Sequence, residues 1–244
     1  MGLITLLVSL LIPALAKVRA AADSTACLSN LRQMGNAWAM YVAEHHGRLP
    51  EYLWYKPALS TPEVAWEGYW PGLLSSRGVG AEAILCAAAR QSVESDAQFG
   101  FGNVTHAWSG RYMYDAAVIF RPTVYRESSY GSNGYLTAAG GFGNDGRAKC
   151  LTAVRDTPNV PVFFDSAHPD VRPHLDAVQM PPPNLRGDNL VGKPEHWRFL
   201  LGRHGRGVNV SMADGSARWV RLDDMYMLTW KGDWIPRRLE LPPN

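Results

Sequence analysis

From Met1 to Ile12 the chain is apolar except for the small residues Gly2, Thr5 and Ser9, and no charge appears before Lys17. After Pro13 the pattern changes. In "KVRAAADSTACLSNLRQMGNAWAMYVAEHHG", Leu28, Leu31, Gly35, Trp38 and Val42 fall at i, i+3, i+7, i+10 and i+14, one face of an α-helix. Lys17, Arg19, Asp23, Arg32 and Glu44 mark its wetter parts. Gly47, with Pro50 beyond it, supplies a stop. The pattern predicts a helix over 1–47, apolar through residue 16 and amphipathic from 17, about 65 Å long. Pro13 removes an amide donor and crowds the preceding turn, so a kink or local opening is expected there.

Residues 48–244 read as a globular head. Proline, glycine and aromatic residues dominate 48–80, a loop with short pieces, and "GAEAILCAAARQSVESDA" suits a short helix. Brief β-like runs follow between glycine clusters: "RYMYDAAVIF", "GYLTAA", "VPVFFDSA", "GVNVSMA" and "SARWVRL". The stretch from His168 to Trp197 has the character of a long irregular loop. The fold class expected is α+β: a long helix laid across a small antiparallel sheet.

The last two runs form the clearest local signal. Asp214-Gly215 between alternating segments predicts a hairpin, with both residues at positive φ. Val208, Val210 and Met212 alternate with Asn209 and Ser211 as in a half-buried strand, and Ala217, Trp219 and Leu222 are expected to cover the helix. His204 precedes the outgoing strand, where its ring can reach a neighbouring loop, with Asp165 of "FFDSA" as a candidate partner. Architecture accounts for His204, Asp214 and Gly215 better than metal binding does, because one imidazole and one carboxylate make a poor site.

Composition narrows the function classes. With 46% apolar residues the chain has material for a core, and a formal charge of +2 gives no basic footprint for nucleic acid. Cys27, Cys86 and Cys150 show neither CxxC spacing nor clustering with histidine, so no zinc site is expected. In an exported chain one pair forms a disulfide, the pairing left open; three buried thiols are the alternative.

Other suggestive stretches carry little chemistry. "GFGNDG" at 141–146 lacks the strand–loop–helix setting of a dinucleotide site. Ser132 lacks a nucleophile elbow, and His45-His46 sits at a helix end. Asp223-Asp224 reads as a solvated acidic pair, and "NVT" at 103 and "NVS" at 209 match the N-glycosylation pattern. Asp165, His168, Asp170 and His174 are the densest ionisable group and the candidate for a cation. No catalytic constellation emerges, and the chain is not expected to be an enzyme.

The N-terminal stretch also carries a likeness. Pro13-Ala14-Leu15, the basic and alanine-rich Lys17 to Ala22, then Cys27, Asn30, Leu31-Arg32-Gln33, Gly35 and "GRLP" resemble the first helix of type IV pilin-like proteins and type II secretion pseudopilins. With His204, nine residues and Asp214-Gly215, they are most similar to a bacterial group with a prepilin-type N-terminus and a C-terminal H-x9-DG element. "ILC" at Cys86, "YGSNGYL" and "VPVFFDSA" resemble intermediate landmarks.

The resemblance implies a pilin-like head on a long helix and a structural subunit of a type IV pilus-like filament or a pseudopilus. It implies homo-oligomeric helical assembly, an inner-membrane anchor beforehand, the pilus or type II secretion machinery as partner, and a final place on the cell surface or in the periplasm. Gly2, Leu3, Ile4, Leu6, Leu7, Val8, Leu10, Leu11, Ile12 and Pro13 are then the membrane and filament-core residues, with Leu28, Leu31, Gly35, Trp38 and Val42 holding the head. Aligned on Pro13, the leader, its cleavage site and the glutamate after it would fall upstream of Met1, so the natural chain is expected to begin further upstream, loss of processing being the alternative. Similar pseudopilins bind calcium near the C-terminus, which makes calcium a candidate ion. The alternative is an N-terminally anchored, exported carbohydrate-binding protein or enzyme, motivated by the aromatic clusters "YLWY" and "WEGYW".

Overall fold

The computed structural model describes residues 2–50, 69–92, 100–109, 127–137, 151, 154–174 and 180–243. One helix, α1 (Gly2–Glu44), leads into a head with a short helix, α2 (Trp70–Ser75), and two sheets. The expected α+β class is present. The helix ends three residues short of the predicted limit, because His46 adopts a left-handed φ of 53° and the Gly47 amide donates back to the Val42 carbonyl at 2.7 Å. That bond closes a Schellman-type cap. Of the kink or local opening expected at Pro13, the opening does not occur: α1 stays helical through it, so the missing amide is absorbed without ending the helix. Among the described residues no helix is long and apolar enough to cross a membrane.

The main sheet has the order β6-β4-β5-β7-β8, formed by β4 (Tyr130–Asn133), β5 (Pro161–Asp165), β6 (Asp170–Val171), β7 (Gly207–Met212) and β8 (Ala217–Arg221). It is mixed rather than antiparallel: β4, β5, β7 and β8 alternate in direction, but the edge strand β6 runs parallel to β4. The chain passes from β5 across His168 and Pro169 and returns on the far side of β4 without reversing relative to it. A smaller sheet joins β1 (Gln91–Ser92), β2 (His106–Ser109) and β3 (Glu127–Ser128), with β1 parallel to β2.

Other local expectations need correction. "GAEAILC" forms only a 3-10 turn, Ala81–Ile84. The strand near 130 is "YGSN" rather than "GYLTAA", whose Gly134 and Tyr135 make a turn. The run "RYMYDAAVIF" and the loop "GFGNDG" lie outside the described residues.

Two cores lie on opposite faces of the main sheet. On one face Cys27, Leu31, Met34, Trp38 and Val42 of α1 pack with Trp70, Trp108 and Phe163 from the head. Behind the sheet, Phe164, Val208, Val210 and Met212 meet Phe199, Tyr226, Trp230 and Trp234. The β7 strand is therefore buried on both faces, not one, and its polar residues Asn209 and Ser211 are fully enclosed. They lie on the helix side, where Asn209 hydrogen-bonds Ser24 and Ser211 meets Gly35. Trp219 stays 45% exposed, its ring lying over Gly207 and its Nε1 donating to the His204 carbonyl, while Leu222 belongs to the rear core. Leu222 therefore does not cover the helix as expected, whereas Ala217 joins the helix-side core.

Candidate functional site

The helix carries two different surfaces. Ile4, Leu11, Ile12, Leu15 and Val18 are 57–66% exposed, whereas Leu31, Trp38 and Val42 are at most 2% exposed. Gly35 is buried with them and Leu28 is partly buried. The side chains of Leu3, Leu6, Leu7, Val8 and Leu10 lie outside the described residues. Predicted head contacts are thus in place, and Cys27, Met34 and Ala37 extend the same face.

Where helix meets head, a polar network occupies the interior. Cys27 of α1 forms a disulfide with Cys86, which resolves the open pairing; Cys150 lies outside the described residues. Asn30, one turn along, donates to the Leu85 carbonyl at 3.0 Å, and the Ala87 amide donates to Cys27 Sγ at 3.1 Å. The His204 ring comes down on this bridge, with Nε2 3.2 Å from Cys86 Sγ and 3.3 Å from Asp165 Oδ2. The contact with Asp165 anticipated from sequence is present.

Asp165 is fully buried at the end of β5 and accepts from the Asn209 amide at 2.8 Å. Burial alone would raise its carboxyl pKa; the His204 ring, Arg203 and the Asn209 N–H outweigh it, and the result is lowered. Arg203 passed unnoticed in the sequence. Its side chain is completely enclosed, donates to the carbonyls of Ser129 and Asn103, and stands 3.5 Å from Asp165 Oδ1. Burial lowers its pKa despite Asp165, yet a guanidinium remains charged at any ordinary pH. Its only advance signal was its place beside His204.

The H-x9-DG element is not one site. His204 and Asp214 lie beyond opposite ends of β7, a strand of six residues and so about 20 Å long. Asp214 accepts from the amide and hydroxyl of Ser216 at 2.9 and 2.7 Å. Only Gly215 has positive φ, 87°, and its amide donates to the Met212 carbonyl at 3.0 Å. The hairpin is as predicted, but its turn is the longer type closed by a left-handed glycine rather than two positive-φ residues.

The ionisable group 165–174 divides in two. Asp165 faces Arg203 and His204, whereas Asp170 pairs with His168 at 3.3 Å and lies 3.8 Å from Arg172; His174 is exposed. Burial raises the Asp170 pKa, but the hydrogen bond and charge of His168, with Arg172 and Arg198, bring it down to about 2. Guanidinium groups stand where a calcium ion would need open carboxylates. Asp223 is not solvated: Arg206 grips both its oxygens at 2.9 and 2.7 Å and Arg221 adds a third bond.

Asn209 is enclosed and hydrogen-bonded, so its amide is inaccessible to glycosylation in the folded chain. Tyr69 and Trp70 of "WEGYW" are core residues rather than a sugar-facing patch; the rest of that cluster, and "YLWY", lie outside the described residues. Among the described residues, Cys27, Cys86 and His204 are the one group of three metal-ligating types drawn together. Comparison with family models, curated proteins and solved structures finds no match to this chain.

Proposed function

We propose that this chain is a structural subunit of a helical filament of the type IV pilus or type II pseudopilus kind, with a pilin-like head. The observation that carries this reading is the change of surface along α1. Its amphipathic half is clamped in the head, while Ile4, Leu11, Ile12, Leu15 and Val18 project an apolar stripe that stays exposed among the described residues. Such a stripe needs a cover. Repetition of one head-to-tail contact between copies supplies it, and a rotation that does not close produces an open filament. Before assembly the apolar sequence Gly2 to Ile12 holds the subunit in the inner membrane, and the pilus or secretion machinery moves it into the filament. The head then lies on the outside, on the cell surface or in the periplasm.

Charge placed in the stripe tests this reading. Ile12→Lys or Leu15→Lys abolishes filaments in the sheared surface fraction, seen by electron microscopy, while the near-ultraviolet circular dichroism of the head is unchanged. Filaments of ordinary length and number from both variants would overturn the reading.

A further inference from the structure

We propose that the reduced form of this chain binds one zinc ion on Cys27, Cys86 and His204, in the place occupied by the disulfide, with Asp165 beside the fourth coordination position. This is independent of the filament reading. The two sulfurs and His204 Nε2 all lie within 4.8 Å of one another. A tetrahedral site with Zn–S about 2.3 Å and Zn–N about 2.0 Å sets sulfur and nitrogen roughly 3.5 Å apart, and nitrogen and a carboxylate oxygen roughly 3.3 Å. Cys86 Sγ and Asp165 Oδ2 stand 3.2 and 3.3 Å from Nε2. Only the sulfur–sulfur bond has to open.

The ligands do not depend on that bond for their positions. Cys27 is carried by the buried face of α1, Asp165 by a central strand, and Cys86 by the segment that Asn30 ties to the helix. His204 is held by its backbone amide, which donates to the Gly207 carbonyl at 3.3 Å. The Ala87 amide already aims at Cys27 Sγ, an N–H···S bond of the kind that supports a metal thiolate.

Charge closes the argument. With the disulfide in place, the Asp165 carboxylate and Arg203 guanidinium cancel inside the protein. Two thiolates would add two buried negative charges, which a divalent cation neutralises and a monovalent one does not. A dithiol reductant supplies the step. It loses two hydrogens and becomes a disulfide, the Cys27–Cys86 bond takes up two electrons and two protons, and zinc then displaces both thiol protons to solvent. Soft sulfur with imidazole favours zinc over calcium.

The test uses the full chain in detergent micelles, with Cys150→Ser to remove the third thiol. It is reduced with a dithiol, freed of it by gel filtration under argon, and titrated with Co2+ as a spectroscopic stand-in for zinc. One Co2+ per chain is expected, with thiolate-to-cobalt charge-transfer and tetrahedral d–d bands that Zn2+ abolishes. The oxidised chain shows neither. Cys27→Ser weakens the charge-transfer band, and His204→Gln lowers Co2+ affinity at least tenfold. A reduced chain without the charge-transfer band, or His204→Gln with unchanged affinity, overturns the proposal. Should reduction alone erase the near-ultraviolet circular dichroism, Zn2+ restores it under the proposal, and failure to restore it is equally fatal.

Discussion

Asn209 on β7 donates its side-chain amide to the backbone carbonyl of Ser24 on α1 at 3.1 Å, binding the sheet to the helix through a polar pair that no solvent reaches on the strand side. The same residue's backbone amide is held by Asp165. Helix, hairpin and the Asp165 network are thus one assembly.

Gly35 and Ser211 set how closely helix and strand approach. A Cβ at Gly35 would collide with Ser211 Oγ but clear its Cβ at 3.6 Å, and that hydroxyl has no hydrogen-bond partner among the described residues. Gly35→Ala therefore destabilises, whereas Gly35→Ala with Ser211→Ala is at least as stable as the parent, because alanine exceeds glycine in a helix by about 1 kcal/mol. Urea unfolding followed by tryptophan fluorescence measures the coupling; simple additivity would contradict it.

Arg203→Met removes the guanidinium from the buried Asp165 carboxylate and costs about 3–5 kcal/mol. Adding Asp165→Asn recovers part of that loss by removing the stranded charge. The comparison of denaturation midpoints is decisive. A single variant within 1 kcal/mol of the parent would mean that the pair contributes little.

Acid weakens the hold of Arg206 and Arg221 on Asp223. The bonds from Arg206, reinforced by Arg221, outweigh burial and hold the Asp223 carboxyl down to about 2. Its ordinary value is about 3.9, so the folded value is depressed and the stabilisation, roughly 2 kcal/mol, is present above about pH 4. It is lost as pH falls from there to about 2. Thermal unfolding of Asp223→Asn across that window should show a shallower pH dependence than the parent, and parallel curves would refute the assignment.

The Cys27–Cys86 bridge closes a loop of sequence separation 59. On chain-entropy grounds it contributes about 4 kcal/mol, so Cys27→Ala with Cys86→Ala lowers the denaturation midpoint while leaving the Asn30 to Leu85 contact available to hold the fold. A midpoint unchanged by the double replacement would show that the unfolded chain is not restrained by the bridge.

Much of the frame was legible because it follows from local periodicity. The i, i+3, i+7 series through Trp38 and Val42 marked the buried face of α1, and the alternation through Val208 and Met212 marked β7. Asp214-Gly215 announced the hairpin, but the turn with two positive-φ residues expected from it does not form, because only Gly215 adopts positive φ. The head contacts of Leu31 and Trp38 and the partnership of His204 with Asp165 were readable in the same way. Asn209 and Ser211 were not: alternation states that two faces differ, but it does not say that a helix covers the polar one.

By itself the sequence determined the long helix, its division into an apolar and an amphipathic part, and the hairpin near the C-terminus. These depend on neighbours within a few residues, so backbone geometry alone dictates them. Tertiary structure decided the rest: the direction of β6, the choice of Cys86 for Cys27, and the burial of Arg203. It also brought together Cys27, Cys86 and His204, which linear spacing had argued against as a metal group. Those residues are separated by 59 positions and more, and only the shared desolvation of a closed core makes their charges and lone pairs answer to one another.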